Sequence, residues 1–190
     1  MQGAADPRLL CIALTVHVCW LNRMVYIREL DVAALSKGQC KRLLLAKCNQ
    51  PRPLGGKDLA LRKCAVASFA ESQIQRLPDS LAQWTTIVSL DLSKSYRLAH
   101  LPHLDRLPRL QHLSLRGCID LQLLEAVRLP TSIRVLDMRN CHQAKTVPAP
   151  CSSCQLRVLD LAYCSSTIII LCRLRKARWV CQCSPGPDQP

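Results

Sequence analysis

Cysteine and histidine are the residue types in this chain best suited to metal or redox chemistry. Five of them near the end of the sequence have spacings that could matter: Cys151 and Cys154 in a C-x-x-C pair, His142 before it, and Cys181 and Cys183 in a C-x-C pair. A structural zinc ion needs four ligands that converge in a tetrahedron, and a second C-x-x-C at suitable spacing is missing. A redox pair needs a thioredoxin-like βαβ setting, which the surrounding residues do not provide. We therefore predict no metal and no cofactor, and interpret the C-x-x-C as a turn.

Carboxylates are the second group of side chains that could do chemistry. On neighbouring parallel strands Asp137 and Asp160 would lie about 4.8 Å apart, close enough for a general acid/base pair or a cation site. Carboxylates on an open sheet stay hydrated, however, so large shifts of their pKa are not expected. The serines and histidines form neither a nucleophile elbow nor an H-x-x-x-H pair. The sequence therefore predicts no catalytic residue and a protein that is not an enzyme.

A 23-residue repeat predicts the elements that position these residues. Four segments align without a gap, starting at Ile87, Leu110, Ile133 and Leu156. Apolar residues recur at the start of each unit and at offsets 3, 5, 11 and 14, and Thr167 is the single exception among twenty positions. Leu-x-Leu is typical of a strand with one buried face. We therefore expect parallel strands at 87–92, 110–115, 133–138 and 156–161, stacked in order on a shared leucine core.

Small polar side chains form a further column at offset 8 of the repeat. Cys118, Cys141 and Cys164 occupy it, with Ser95 in the first unit. Such side chains bond to backbone groups where a strand turns away, so they satisfy donors and acceptors in a buried turn. We predict that the three cysteines are structural thiols, buried and reduced, each serving its own turn. Reduced thiols favour the cytoplasm over secretion.

The pattern L-x-x-L-x-L-x-x-C-x-x-L-x-x-L resembles the leucine-rich repeat family. The cysteine and the recurring Leu-Pro are similar to the intracellular plant-type repeats of nucleotide-binding disease-resistance receptors. The resemblance covers roughly residues 40–170 and is strongest at 87–164. It implies an α/β leucine-rich repeat solenoid, a short curved array with parallel strands on the concave face and a mostly irregular convex side. The chain contains no G-x-x-x-x-G-K-[ST] motif of a nucleotide-binding module.

Three segments are predicted from where the repeat holds. Residues 1–39 form an N-terminal capping region or a targeting segment. The apolar run at 9–21 is typical of a targeting segment, but it has no clear positive flank or cleavage site, which favours a cap. Residues 40–171 form the repeat array, with an irregular unit around 61–78. The next unit should start at Trp179, where the pattern is missing. Residues 172–190 are therefore interpreted as a basic and proline-rich tail, which we expect to be disordered.

Strand residues that alternate with the leucines predict a binding face on the concave side. Its members are three acids, four bases and a possible aromatic anchor: Asp91, Asp137, Asp160, Arg116, Arg134, Arg139, Arg157 and Tyr163. These columns suit recognition of an extended partner surface through mixed charge. The alternative is that each aspartate pairs with an arginine of its own face, since exposed pairs contribute only about 0–1 kcal/mol.

The net charge of +13, from 26 basic and 13 acidic residues, favours acidic partners. We expect the partner to be a protein with an acidic patch, and nucleic acid or an anionic membrane is the alternative. A well-solvated basic surface would explain the charge without any partner. The leading hypothesis is a protein–protein interaction module in immune-type recognition or scaffolding. A substrate-recruiting subunit of an enzyme complex, such as a ubiquitin ligase, is the alternative from another class. The sequence does not specify the oligomeric state.

Overall fold

Eight short parallel strands stack in chain order into one sheet in the computed structural model of the chain. The strands are β1 Val18–Trp20, β2 Arg42–Leu44, β3 Val66–Ser68, β4 Ser89–Asp91, β5 His112–Ser114, β6 Val135–Asp137, β7 Val158–Asp160 and β8 Val180–Gln182. The structure describes residues 64–77, 79–122, 124, 127–148 and 155–165, together with the backbone of β1, β2 and β8. The architecture is a parallel-strand solenoid.

The register between strands reproduces the 23-residue repeat. Leu90, Leu113, Leu136 and Leu159 are partners across β4 to β7. This confirms the prediction of parallel strands stacked in order, although each strand has three residues instead of six. Backbone bonds between turns continue past the strands, as from Leu92 N–H to the Ser114 carbonyl at 2.9 Å. The ladder is therefore longer than the strands themselves.

The apolar columns of the repeat form one continuous core. The residues at offsets 0, 3 and 5 are buried in all four predicted units, and so are Leu98, Leu121 and Ala144 at offset 11. At offset 14 Leu124 is buried, whereas Leu101 and Val147 are partly buried against the core. Burying a leucine side chain stabilises the fold by roughly 1.5–3 kcal/mol, so the stacked columns supply most of the driving force.

A turn of the solenoid begins at Cys64, one repeat before the regular units recognised in the sequence. Cys64, Ala67 and Phe69 are buried at offsets 0, 3 and 5. In the sequence this unit looks irregular, because Ile74 and Leu77 are one residue out of step. Both side chains are nevertheless buried, so the turn accommodates the shift.

The return path of each turn adds core residues that the repeat pattern did not identify. They are the buried side chains Leu81, Trp84, Leu104, Leu107, Val127 and Leu129. Asp79–Gln83 form a short 3-10 helix, and Trp84 stacks on Phe69 with ring centroids 5.9 Å apart. The described residues contain strands, turns and this one short helix, so the α/β class is not confirmed. In the described part of the chain no helix has the length and hydropathy needed to cross a membrane.

The sheet also has strands in the two flanking segments. β1 lies within residues 1–39, inside the apolar run at 9–21, and β8 lies within 172–190. At Val180–Gln182 the structure differs from the expected disordered tail, because these residues pair with β7. A backbone ladder needs only N–H and C=O groups, so it can form where the leucine pattern is missing. The rest of both segments, Thr167, Ile170 and the C-x-x-C at 151–154 lie outside the described residues.

Candidate functional site

The sheet has an open face beside the leucine core. In β4, β5, β6 and β7 the middle residue is buried and its two neighbours are at least partly exposed. All eight predicted partner-binding residues retain exposed surface: Arg116, Arg157 and Tyr163 are exposed, and Asp91, Arg134, Asp137, Arg139 and Asp160 are half-buried. Only the three aspartates lie within strands, where alternation places them opposite the buried leucines, and the arginines and Tyr163 flank the strands.

The three aspartates bond to the turn that follows their own strand. One carboxylate oxygen of Asp91 accepts a hydrogen bond from the Ser93 N–H at 3.0 Å. Asp137 accepts in the same way from the Arg139 N–H, and Asp160 from the Ala162 N–H, both at 3.0 Å. This geometry is an Asx turn, in which a short acidic side chain replaces a backbone acceptor. The aspartates therefore shape the exit of the chain from each strand.

Arg139 occupies the remaining oxygens of two of these carboxylates. Its Nε and Nη2 donate to the two oxygens of Asp137 at 3.0 and 2.6 Å. Its Nε also lies 3.3 Å from a carboxylate oxygen of Asp160 on the next turn. The hydrogen bond to Asp137 is the main reason why the pKa of Arg139 is raised above its usual value. We call Asp91, Asp137, Asp160 and Arg139 the carboxyl-end band. The pairing of Asp137 and Asp160 with Arg139 matches the self-compensation alternative, whereas Asp91 accepts from the Ser68 hydroxyl at 3.0 Å.

The turn after each strand passes through a left-handed residue. Glu71, Lys94, Gly117, Asn140 and Tyr163 have φ between 56° and 70°, and they recur every 23 residues. The N–H groups of the first four bond to the next turn, as from Gly117 to the Arg139 carbonyl at 2.7 Å. Glycine adopts this conformation freely and asparagine does so often, but other L-residues carry a cost of roughly 1–2 kcal/mol. Tyr163 is therefore an exposed aromatic residue held in a strained backbone conformation.

The offset-8 thiols bond to the turn before them. Cys118 Sγ donates to the Leu92 carbonyl at 3.2 Å, and Cys141 Sγ to the Leu115 carbonyl at 3.1 Å. Cys164 repeats the contact with Met138 at 2.9 Å. All three side chains are buried and are not in disulfides. Their reduced state in solution remains a prediction.

Burial also lowers the acidity of two of these thiols. It raises the pKa of Cys118 to about 12, and it raises the pKa of Cys141 as well. A protonated thiol is a poor nucleophile and a poor metal ligand, so these side chains suit a structural role. No group of three or more potential metal ligands comes together within the described residues.

Two serines extend the thiol column, and the sequence pattern had identified only one of them. Ser95 Oγ donates to the Phe69 carbonyl at 3.0 Å, as each cysteine does to its own carbonyl. Ser72, in the turn that begins at Cys64, lies 3.2 Å from Ser95 through the two hydroxyl oxygens. The signal was present in the sequence, because Ser72 is 23 residues before Ser95.

The amino ends of β6 and β7 carry a second pair of charges, Arg134 and Arg157, which we call the amino-end band. The Arg157 N–H bonds to the Arg134 carbonyl at 2.8 Å, so the two residues lie on adjacent turns. The ion pairs of the described residues join Lys94 to Glu71 and Arg139 to its two aspartates, and do not include this band. The Nε of Arg134 is buried and has no hydrogen-bond partner among the described residues.

Comparison with known proteins adds one partial similarity. The chain is similar to disease resistance protein RPS4B of Arabidopsis thaliana, with 36% identity over 77 residues. The matched region is 40% of this chain but 6% of that protein, so the chain spans a small fraction of its relative. No protein-family model matches the chain, and no solved structure matches it.

Proposed function

We propose that this solenoid is a leucine-rich repeat array that binds a protein partner on the open face of its sheet. The observation that carries the proposal is a row of charged side chains, on adjacent turns, that the leucine core does not use. The 23-residue register of β4 to β7 supports the repeat assignment. The partial similarity to a disease resistance protein supports a role in immune-type recognition, with scaffolding as the more general form of the same activity.

A binding role agrees better with the described chemistry than catalysis does. The aspartate oxygens accept from backbone N–H groups and from Arg139, which leaves them poorly placed for proton transfer. The offset-8 thiols are buried, and burial raises the pKa of Cys118 and Cys141. Charged residues on an exposed sheet instead support specificity in recognition, since a mismatched partner would meet like charges. We propose that the protein acts without a cofactor.

We also propose that the protein works in a reducing compartment. Buried thiols that bond to carbonyls serve the turns only while they remain thiols. Thiol titration of the purified protein under denaturing, non-reducing conditions tests this. Cys118, Cys141 and Cys164 should all react, whereas their loss to disulfides would favour secretion.

Site-specific photo-crosslinking tests the binding face. A photoreactive amino acid replaces His112, which is exposed on β5, or Arg106, which is exposed on the return path. After incubation in cell extract, position 112 should capture a protein that position 106 does not. Equal capture at both positions, or none at 112, would contradict binding on the open face.

A further inference from the structure

Positive charge remains uncompensated at one end of the open face. Along β6, Arg134 precedes Asp137 by three residues, which corresponds to roughly 10 Å of extended strand. The oxygens of Asp137 and Asp160 already accept from backbone N–H groups and from Arg139. These acids therefore do not neutralise Arg134 and Arg157, and the amino-end band keeps both charges.

The stacking of these two arginines is unfavourable for the protein on its own. Neighbouring strands are about 4.8 Å apart, and like charges directly opposite each other on a sheet destabilise it. Arg134 also has a buried Nε without a hydrogen-bond partner in the described structure, which loses the free energy of that bond. A bound anion would remove the repulsion. Guanidinium groups bind carboxylates in a planar, two-bond geometry, so a carboxylate is a well-matched anion.

The surroundings of the band favour a protein ligand. Val135 and Val158 follow the two arginines directly in the chain and are half-buried. Apolar surface beside paired charges suits an extended peptide with alternating acidic and aliphatic side chains. Single-stranded nucleic acid instead needs aromatic platforms for its bases, and the exposed Tyr163 lies beyond the opposite end of β7.

We propose that Arg134 and Arg157 form a carboxylate-binding pair for an acidic, extended segment of the protein partner. Val135 and Val158 contact the aliphatic side chains of that segment. This inference rests on the proposed function and assigns its partner chemistry. It also separates the recognition arginines from Arg139, which serves the sheet itself.

Fluorescence anisotropy with a labelled ten-residue peptide of alternating Glu and Val tests the pair. The variant is Arg134→Gln with Arg157→Gln, and the matched control is Arg97→Gln with Arg106→Gln, which removes the same charge from exposed positions outside the strands. At physiological salt the first variant should lose about tenfold or more in affinity, because two charge-assisted contacts are lost. The control should lose less than about twofold, as expected for long-range screening.

Equal losses in the two double variants would overturn the inference, because the peptide would then sense only net charge. Failure of the wild-type protein to bind the peptide would also overturn it. So would tighter binding of a ten-nucleotide single strand with the same dependence on the two arginines. If the double variant does not fold, Arg157→Gln alone provides the test, since Arg157 is exposed. If position 112 still crosslinks its partner in the double variant, the binding module stands and this arginine pair is refuted.

Discussion

The two charged bands of the open face use the same residue type for different purposes. In the carboxyl-end band, Arg139 donates to Asp137 and approaches Asp160, and the aspartates bond to their own turns. In the amino-end band, Arg134 and Arg157 lie on adjacent turns, and neither forms an ion pair with a carboxylate of the described residues. The difference arises from position along the strand, since only the carboxyl end has acids within reach. An arginine on a repeat surface is therefore available for binding only when its neighbours leave it unpaired.

The comparison also explains how one face can be both stable and reactive. Pairing in the carboxyl-end band maintains the turns on which the next strand depends. Repulsion between the two arginines of the amino-end band lowers the stability of the protein alone. A partner that binds them with a carboxylate would remove this repulsion. Substitutions in the two bands should therefore separate stability from binding.

The largest loss of stability is expected from substitutions in the leucine core that supports both bands. Leu136→Ala should lower the free energy of unfolding by about 2–5 kcal/mol, because Leu136 is buried in the middle of β6. Leu113→Ala should behave alike. Urea denaturation measures the loss, with Val135→Ala as the half-buried neighbour that should cost less. Equal denaturation midpoints for Leu136→Ala and wild type would contradict a core shared by the turns.

The carboxyl-end band should give the next largest effect. Asp137→Ala removes bonds to the Arg139 backbone and guanidinium, so we expect a loss of about 1.5–3 kcal/mol. Asp137→Asn keeps an acceptor for the backbone bond and should lose less. Both are measured by urea denaturation. If Asp137→Ala had the same free energy of unfolding as wild type, the carboxyl-end band would not stabilise the fold. Its aspartates would then be available to bind a partner.

Substitution of a left-handed residue in the same turns should lower the stability by a smaller amount. Gly117 has φ 70°, and a Cβ placed there would make only ordinary contacts with Lys94. Gly117→Ala should therefore cost about 1 kcal/mol from the left-handed conformation and not from a clash. Thermal melting detects this, and Asn140→Gly in the equivalent position serves as the control with little change. A melting temperature unaffected by Gly117→Ala would argue against the left-handed turn.

The smallest change in stability is expected in the amino-end band. Arg134→Ser with Arg157→Ser should leave the free energy of unfolding unchanged or slightly raised, since neither guanidinium has an ion pair in the described residues and the substitutions remove their mutual repulsion. Arg139→Ser should lower it more, because that side chain holds two turns together. The double variant and Arg139→Ser are compared by thermal melting. Equal destabilisation by both would remove the distinction between the bands.

The sequence alone determined the repeat and the arrangement of strands that the repeat requires. The 23-residue spacing predicted the order, direction and register of β4 to β7, and the leucine columns predicted their buried residues. It also placed the thiols at the turns and predicted that the charged residues retain exposed surface. Each of these depends on the character of single residues at regular spacing, because hydrophobicity and alternation along a strand decide which side chains are buried. The turn that starts at Cys64 carried the same signal in weaker form.

Only the tertiary structure decided which charged residues pair and where the chain turns. Whether Arg139 reaches Asp160 depends on a few ångströms between side chains of different turns, and no spacing rule specifies that distance. The left-handed conformation of Lys94 is similar in origin, because its residue type disfavours it and the backbone bond from its N–H to the Arg116 carbonyl holds it. β8 forms by main-chain pairing where the leucine pattern is missing. Pairwise geometry, which the fold creates, therefore separates the two bands that look alike in the sequence.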